Sequence, residues 1–297
     1  MIDDYAFLRR KGVSLERLLA LCRVVDAGGI AKAAGGDLSK LSLYSRQVND
    51  LAEALDIRLT TRVGRTAALT PEAHRLAAIV RGHLRDLEAF AAAAGRNPAT
   101  LRLGASNSLL EWAVLPRLPA LAKALPRGAA LRLVAHRTAD LIAALLDRRC
   151  DLGLVRSTAV GPSLRTRELM RFGYALFVPE GLTRQRDAAR ILASVPIATS
   201  AGGEFRTQLG LAAERSGVTL NIALDCPSFG IAARAVLGGA HAAILPEIAA
   251  AAFAGRRVRA LALPFEAEPA RTILLAAHPR VDESLFDEVA RALGAKG

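Results

Sequence analysis

Ile30-Ala31-Lys32-Ala33-Ala34, a Gly/Asp/Ser break, Tyr44-Ser45-Arg46-Gln47-Val48-Asn49-Asp50-Leu51, and Arg62-Val63-Gly64-Arg65-Thr66 ahead of Leu69-Thr70 form the stretch that decides the fold. In order, they read as helix, turn, helix and a small basic wing. Such a unit near one end of a chain commonly lays its second helix in the major groove of DNA. Ala33 and Ala34 are small enough for a second helix to cross close above them. Tyr44, Val48, Leu51 and Leu55 recur at i, i+4, i+7 and i+11, which gives one apolar stripe. Ser42, Ser45, Arg46 and Asn49 share another face. Arg46 has the reach for a guanine edge and Asn49 for an adenine edge. Asp37 or Ser39 suits the helix start. Arg62 and Arg65 flank Gly64 in a β-turn, positioned for phosphate contacts. The same pattern also fits an ordinary helical hairpin with a solvated polar face.

Upstream, Ser14 caps a predicted helix over 14–27 with Leu15, Leu18, Leu19, Cys22 and Val25 as its buried stripe, closed by Gly28-Gly29. Downstream, Thr70 and Pro71 open a helix running to about Ala94. Leu76, Val80, Leu84, Leu87 and Ala91 recur along it at the alternating steps of a two-helix seam. The expectation is a dimer contact, with packing on its own DNA-binding head as the alternative. Gly95-Arg96-Asn97-Pro98 reads as a hinge.

From Leu101 the texture changes to short apolar strands alternating with helices, the mark of a parallel-rich α/β sheet. Strands are expected at Leu101–Ala105, Ala130–Ala135, Asp151–Val155, Tyr174–Val178, Val195–Thr199, Ile222–Asp225, Ala242–Leu245 and Ile273–Ala277. Two such sets, joined near 178–195 and 265–278, predict two lobes with a cleft, where small-molecule sites concentrate. Ser106-Asn107-Ser108 opens a helix after a strand, a place whose amides and hydroxyls suit a carboxylate or phosphate; a plain N-cap is the competing account. Thr138, Thr199 and Ser200 also follow strands toward the cleft. His136 and Arg137 beside Thr138 add positive charge.

Composition sets the bounds. The net charge is +12, with 15 Lys and Arg against 11 Asp and Glu in residues 1–98. Most of the excess therefore lies outside the DNA-reading stretch. Basicity permits a polyanionic partner without locating it, and an Arg-rich bias accounts for it equally. Cys22, Cys150 and Cys226 are far apart and no Cys/His metal spacing occurs, so neither metal nor cofactor is expected. Cys150 and Cys226 fit buried packing thiols better than redox sensors. No signal peptide and no 18-residue apolar run is visible, which predicts a cytoplasmic chain with no membrane partner. No nucleophile elbow, P-loop or dinucleotide fingerprint appears, so no enzyme is expected.

Taken together, these motifs resemble the LysR-type transcriptional regulators over about residues 14–280. The resemblance rests on Ala33-Ala34 spaced ten residues from Ser45-Arg46-Gln47, and on Leu59-x-x-Arg62-x-Gly64-Arg65 with Leu69-Thr70. It continues through Leu101–Gly104, Leu115–Leu118, Asp151–Val155, and Gly238-Gly239 through Ile244-Leu245-Pro246. It implies a winged helix-turn-helix over 14–70, a linker or dimerisation helix and hinge over 71–98, and a two-lobed periplasmic-binding-protein-like α/β effector domain over 99–297. It further implies double-stranded DNA as partner, a homodimer or homotetramer, and a small polar or anionic effector, with carboxylate-bearing molecules favoured. A Ser or Thr at the place of Ser106 often binds effector in the family. Where the family often has Ser-Gln-Pro-Ala-Leu, this chain has Lys40-Leu41-Ser42-Leu43-Tyr44, and Lys40 becomes a phosphate candidate. Thr60-Thr61 replaces the usual Phe-Glu of the wing. These departures motivate a second reading, a ligand-binding or oligomerisation module with impaired DNA specificity.

Overall fold

Both ends of α1, Leu15–Ala27, are set by neighbouring residues. The Ser14 hydroxyl accepts from the Arg17 amide at 3.3 Å. Gly28 then leaves the helix at φ +73°, a left-handed conformation that a side chain resists. The computed structural model describes residues 11–63, 66–93, 100–200, 203–266 and 270–295. Ile30–Ala34 forms the short α2. Asp37 opens α3, Leu38–Leu55, by accepting from the Ser39 and Lys40 amides at 2.9 and 3.1 Å. Strands β1, Thr60–Val63, and β2, Thr66–Leu69, pair antiparallel with Thr60 opposite Leu69. Thr70 donates its hydroxyl to the Arg58 carbonyl at 2.7 Å and accepts from the Ala73 amide at 3.2 Å. It thereby fixes the start of α4, Pro71–Ala93.

These elements share one core of Leu21, Cys22, Val24 and Val25 from α1, Val48 and Leu51 from α3, Leu59, and Ala73, Ala77 and Val80 from α4. Each fully buried Leu or Val there contributes roughly 1.5–3 kcal/mol. The stripe on α1 is rotated from the expected one. Leu21 and Val24 are fully buried, whereas Leu15 is exposed, because α3 and α4 both pack against the Leu21/Val24 side. The stripe on α4 is split. Val80 joins this core, Leu76 and Leu84 pack against it, and Leu87 stays exposed.

The chain divides into two compact units, one running to Ala99 with Ala143–Cys150, the other comprising Thr100–Ile142 and the residues from Asp151 on. Along the second part run β3, Thr100–Ala105; α5, Asn107–Leu109; a π-helical turn, Leu110–Val114; and a 3-10 turn, Leu115–Arg117. Then come α6, Leu118–Ala124; β4, Ala130–Ala135; α7, Thr138–Leu146; β5, Leu152–Arg156; and β6, Arg165–Phe172. After Gly173 follow β7, Tyr174–Pro179; α8, Ala188–Ser194; β8, Ile197–Ser200; α9, Gly203–Arg215; and β9, Ile222–Cys226. The chain continues with α10, Phe229–Leu237; β10, Ala242–Pro246; β11, Val258–Ala262; β12, Arg271–Ala277; and α11, Glu283–Ala292.

Two five-stranded sheets result, ordered β4-β3-β5-β12-β6 and β11-β7-β10-β8-β9. In each, three neighbouring strands pair in parallel and one strand, β12 in the first sheet and β7 in the second, runs antiparallel to both its neighbours. The chain passes from the first sheet to the second at Gly173, not across 178–195 as expected, and returns between Ala262 and Arg271. Strands β6 and β11 lay outside the sequence reading. Arg165, Arg167, Glu168 and Arg171 hide the apolar alternation of β6, which stands at a sheet edge where charged side chains stay solvated. Strand β7 runs one residue past the expected Val178, to Pro179.

Candidate DNA-reading face and effector cleft

Helix α3 has two faces. Val48 and Leu51 are fully buried, and Tyr44 and Leu55 pack against the same core. Gln47 is also buried, its Nε2 donating to Glu16 Oε1 at 2.9 Å. The Arg17 guanidinium pairs with Asp50 at 2.8 Å, a second tie between α1 and α3. On the opposite face, Ser42, Arg46 and Asn49 are exposed and Ser45 is half-buried, and Lys40 is exposed at the helix start. Lys40 Nζ lies 3.9 Å from Asp37, and both groups are well solvated. Arg62 is exposed on β1, while Arg65 lies outside the described residues. The sequence reading missed two apolar members of this surface, Leu38 at 79% exposure and Leu43 at 38%. Their place in the helical repeat beside Ser39, Ser42 and Arg46 was the available signal.

In the second unit, Ser106 caps α5. Its Oγ accepts from the Leu109 amide at 3.4 Å and lies 3.3 Å from Ser108 Oγ. Asn107 is exposed and Ser108 half-buried. Thr138 follows the parallel neighbour β4, and the His136 amide donates to the Ala105 carbonyl at 2.9 Å, which holds the two strand ends level. Ser106–Ser108 and Thr138 therefore stand at one end of the first sheet. Thr199 and Ser200 end β8 in the second sheet. Ser200 is half-buried, but Thr199 is fully buried, because β8 runs between β9 and β10 within the sheet. Its Oγ1 has no hydrogen-bond partner among the described residues.

The π-helical turn after Ser108 joins the lobes. Trp112 leaves the first sheet's segment and packs among Ala175, Phe177, Ala249 and Phe253 of the second lobe. The neighbouring Glu111 carboxylate lies against Gly230 in the first turn of α10, where any Cβ would overlap it. Near the same strand ends, Tyr174 stacks on Phe205 at 4.4 Å and Phe205 meets Phe229 edge-on at 5.0 Å. The Arg271 guanidinium sits 5.2 Å above the Tyr174 ring. None of these four residues carries a motif, so sequence periodicity alone does not single them out.

All three cysteines are buried. Burial pushes the Cys22 thiol above its ordinary range; Arg81 opposes this and Asp26 adds to it. Burial, helped by the Asp225 charge, also raises the Cys226 thiol. Among the described residues no cluster of His, Cys, Asp or Glu is arranged to hold a metal ion. No helix among them is long and apolar enough to cross a membrane.

A helix-turn-helix with a two-stranded wing, and a two-sheet α/β unit whose lobes meet at a π-turn, define a ligand-responsive DNA-binding regulator as the class of protein. The LysR substrate binding domain family matches residues 94–294. A probable hydrogen peroxide-inducible genes activator of Mycobacterium xenopi is 32% identical over 171 residues, 56% of this chain and 88% of that protein. A protein of the same description from Mycobacterium avium is 26% identical over 268 residues, 87% of this chain and 85% of its own length. Full-length CbnR in complex with its target DNA superposes with a TM-score of 0.58 at 19% identity, covering 94% of this chain and 98% of that one. A point mutant of full-length OxyR from Pseudomonas aeruginosa gives 0.62 at 18% identity, covering 93% and 94%. The chain belongs to the LysR family of transcriptional regulators, DNA-binding proteins whose activity an effector modulates and which oligomerise. Similarity extends over the DNA-binding end as well as the sensor, so a module impaired in DNA binding is not the favoured reading.

Proposed function

We propose that α3 enters the major groove with Ser42, Ser45, Arg46 and Asn49 toward the bases, while Lys40, Arg62 and Arg65 hold phosphates. The observation that carries this is the division of α3. The core and the α1 ties use Val48, Leu51, Gln47 and Asp50, and folding makes no use of the exposed Ser42, Arg46 and Asn49. In this reading residues 14–70 are the DNA-binding head, 71–98 the linker and 99–297 the sensor, which works in the cytoplasm without catalysing a reaction. Two heads need two half-sites, so the operator is a pseudo-twofold repeat. Exposed Ile79, Leu87 and Phe90 on α4 supply an apolar surface for a second copy. The test is selection of bound sequences from a random double-stranded pool by the full chain. An inverted repeat that Arg46→Ala loses supports the reading; salt-sensitive binding without an enriched motif overturns it.

For the effector, the hydroxyls of Ser106 and Ser108, with Asn107 and Thr138 at one end of the first sheet and Ser200 at the end of β8, favour a small polar molecule bearing a carboxylate. Thr199 takes part only through a rearrangement that uncovers it. The names of the mycobacterial relatives raise peroxide as an alternative signal. A thiol that reacts with peroxide must be an accessible thiolate. Cys22, Cys150 and Cys226 are 6%, 1% and 1% exposed, which favours a bound ligand over thiol oxidation.

A further inference from the structure

At and just before the segment Lys40–Tyr44, where this chain departs from the family's usual helix start, two leucines lie outside the core of the head. Leu38 is 79% exposed and Leu43 is 38% exposed, and neither belongs to the core of the head or packs against it. Both lie in the first turns of α3. By helical repeat they flank the polar row: Leu38 stands one turn before Ser42, and Leu43 beside Ser39 and Arg46. Leu38 stands largely in solvent and Leu43 is partly covered, so folding leaves apolar surface of both unused on an otherwise polar face. The N-terminal residues of a recognition helix are the ones that reach base edges. In the major groove the only apolar feature of those edges is the thymine 5-methyl group.

We infer that Leu38 and Leu43 are specificity-determining residues that read thymine methyl groups on either side of the bases facing Ser42 and Arg46. The inference rests on the proposed placement of α3 in the groove. It assigns the departure at 40–44 a role: polar readout at the helix start is exchanged for methyl readout. Arg46 remains the hydrogen-bonding reader beside it.

The experiment uses the full chain and two random duplex pools, one with thymine and one built with deoxyuridine, which lacks only the methyl group. Single thymine-to-uracil replacements are then made in the selected site. The expected result is a half-site with a thymine at two fixed positions. Each uracil replacement there weakens binding about fourfold, the effect of one buried methyl group. Leu43→Gln should bind the thymine and uracil sites alike at one of the positions and Leu38→Gln at the other. Leu43→Met, which stays apolar and helix-forming, should keep the discrimination. Unchanged thermal unfolding of each variant separates a lost contact from a lost fold. An enriched site that tolerates uracil everywhere, or discrimination that survives both Gln variants, overturns the inference while leaving the DNA-reading proposal standing. No enriched site from the thymine pool overturns both.

Discussion

Gln47 donates to Glu16 across 2.9 Å and ties the middle of α3 to the first turn of α1, while its chain neighbour Arg46 points to solvent. Adjacent residues of one short motif thus do different work, and substitution should separate them. Gln47→Ala removes a partly buried hydrogen bond, so the head should lose about 1 kcal/mol of stability. Thermal unfolding should show this with base preference unchanged. Arg46→Ala should leave the unfolding midpoint alone and remove selectivity at one base position, a loss of about 1–3 kcal/mol there.

Lys40 and Arg62 should behave differently from Arg46. A phosphate contact carries no sequence information, so Lys40→Ala and Arg62→Ala should weaken all sequences evenly. Each should also reduce the slope of log affinity against log salt by about one. Titration at several salt concentrations reads both effects. A change confined to one base position would move these residues to the reading face.

The outer side of α4 should set the oligomeric state. Leu87 is 64% and Phe90 74% exposed, so neither contributes much to the fold of its own chain. Leu87→Glu combined with Phe90→Glu should shift the protein toward monomer in sedimentation velocity, with little change in the circular dichroism of the head. An unchanged assembly would place the contact elsewhere.

The Cys22 thiol should report on folding rather than on oxidants. Its Sγ donates to the Ala77 carbonyl at 3.7 Å, and burial raises its titration. Alkylation by iodoacetamide should therefore be slow until the head unfolds. The unfolded chain loses this proton at lower pH than the fold does, so it binds fewer protons in that window. Stability present below the unfolded thiol value, ~8.5, should then decline as pH rises through it. Cys22→Ala should flatten that alkaline decline in denaturant titrations.

Trp112, the single tryptophan, offers a direct view of the lobe junction. At 6% exposure it should emit at short wavelength. In a screen of small carboxylates, those that bind should shift that emission, and Ser108→Ala should remove the shift. Carboxylates that stabilise the protein without moving the emission would point to a site away from the π-turn.

Much of the head was legible because its signals are local. Asp37, Gly28 and Thr70 act within a few residues of the helix ends they set, and the spacing of Val48 and Leu51 reports the buried face directly. Strands such as Leu152–Arg156 are apolar up to their last residue and stand out for that reason. Strand β6 was not legible, since its pairing with β12 joins Arg165 to Ala277 across more than a hundred residues of chain and tolerates charge at the sheet edge. For the candidate site, the exposure of Ser42, Arg46 and Asn49 followed from periodicity. The stacking of Arg271 on Tyr174 joins two strands of different sheets, and no local pattern encodes it.

By itself the sequence determined that a helix-turn-helix with a wing precedes a two-lobed α/β sensor, because caps, helical repeat and strand alternation act over a few residues. Only the tertiary structure decided which leucines stay in water, that Thr199 is fully covered, and that Trp112 crosses into the core of the second lobe. Those outcomes depend on which surfaces meet, and the burial of a side chain is a property of the elements packed around it.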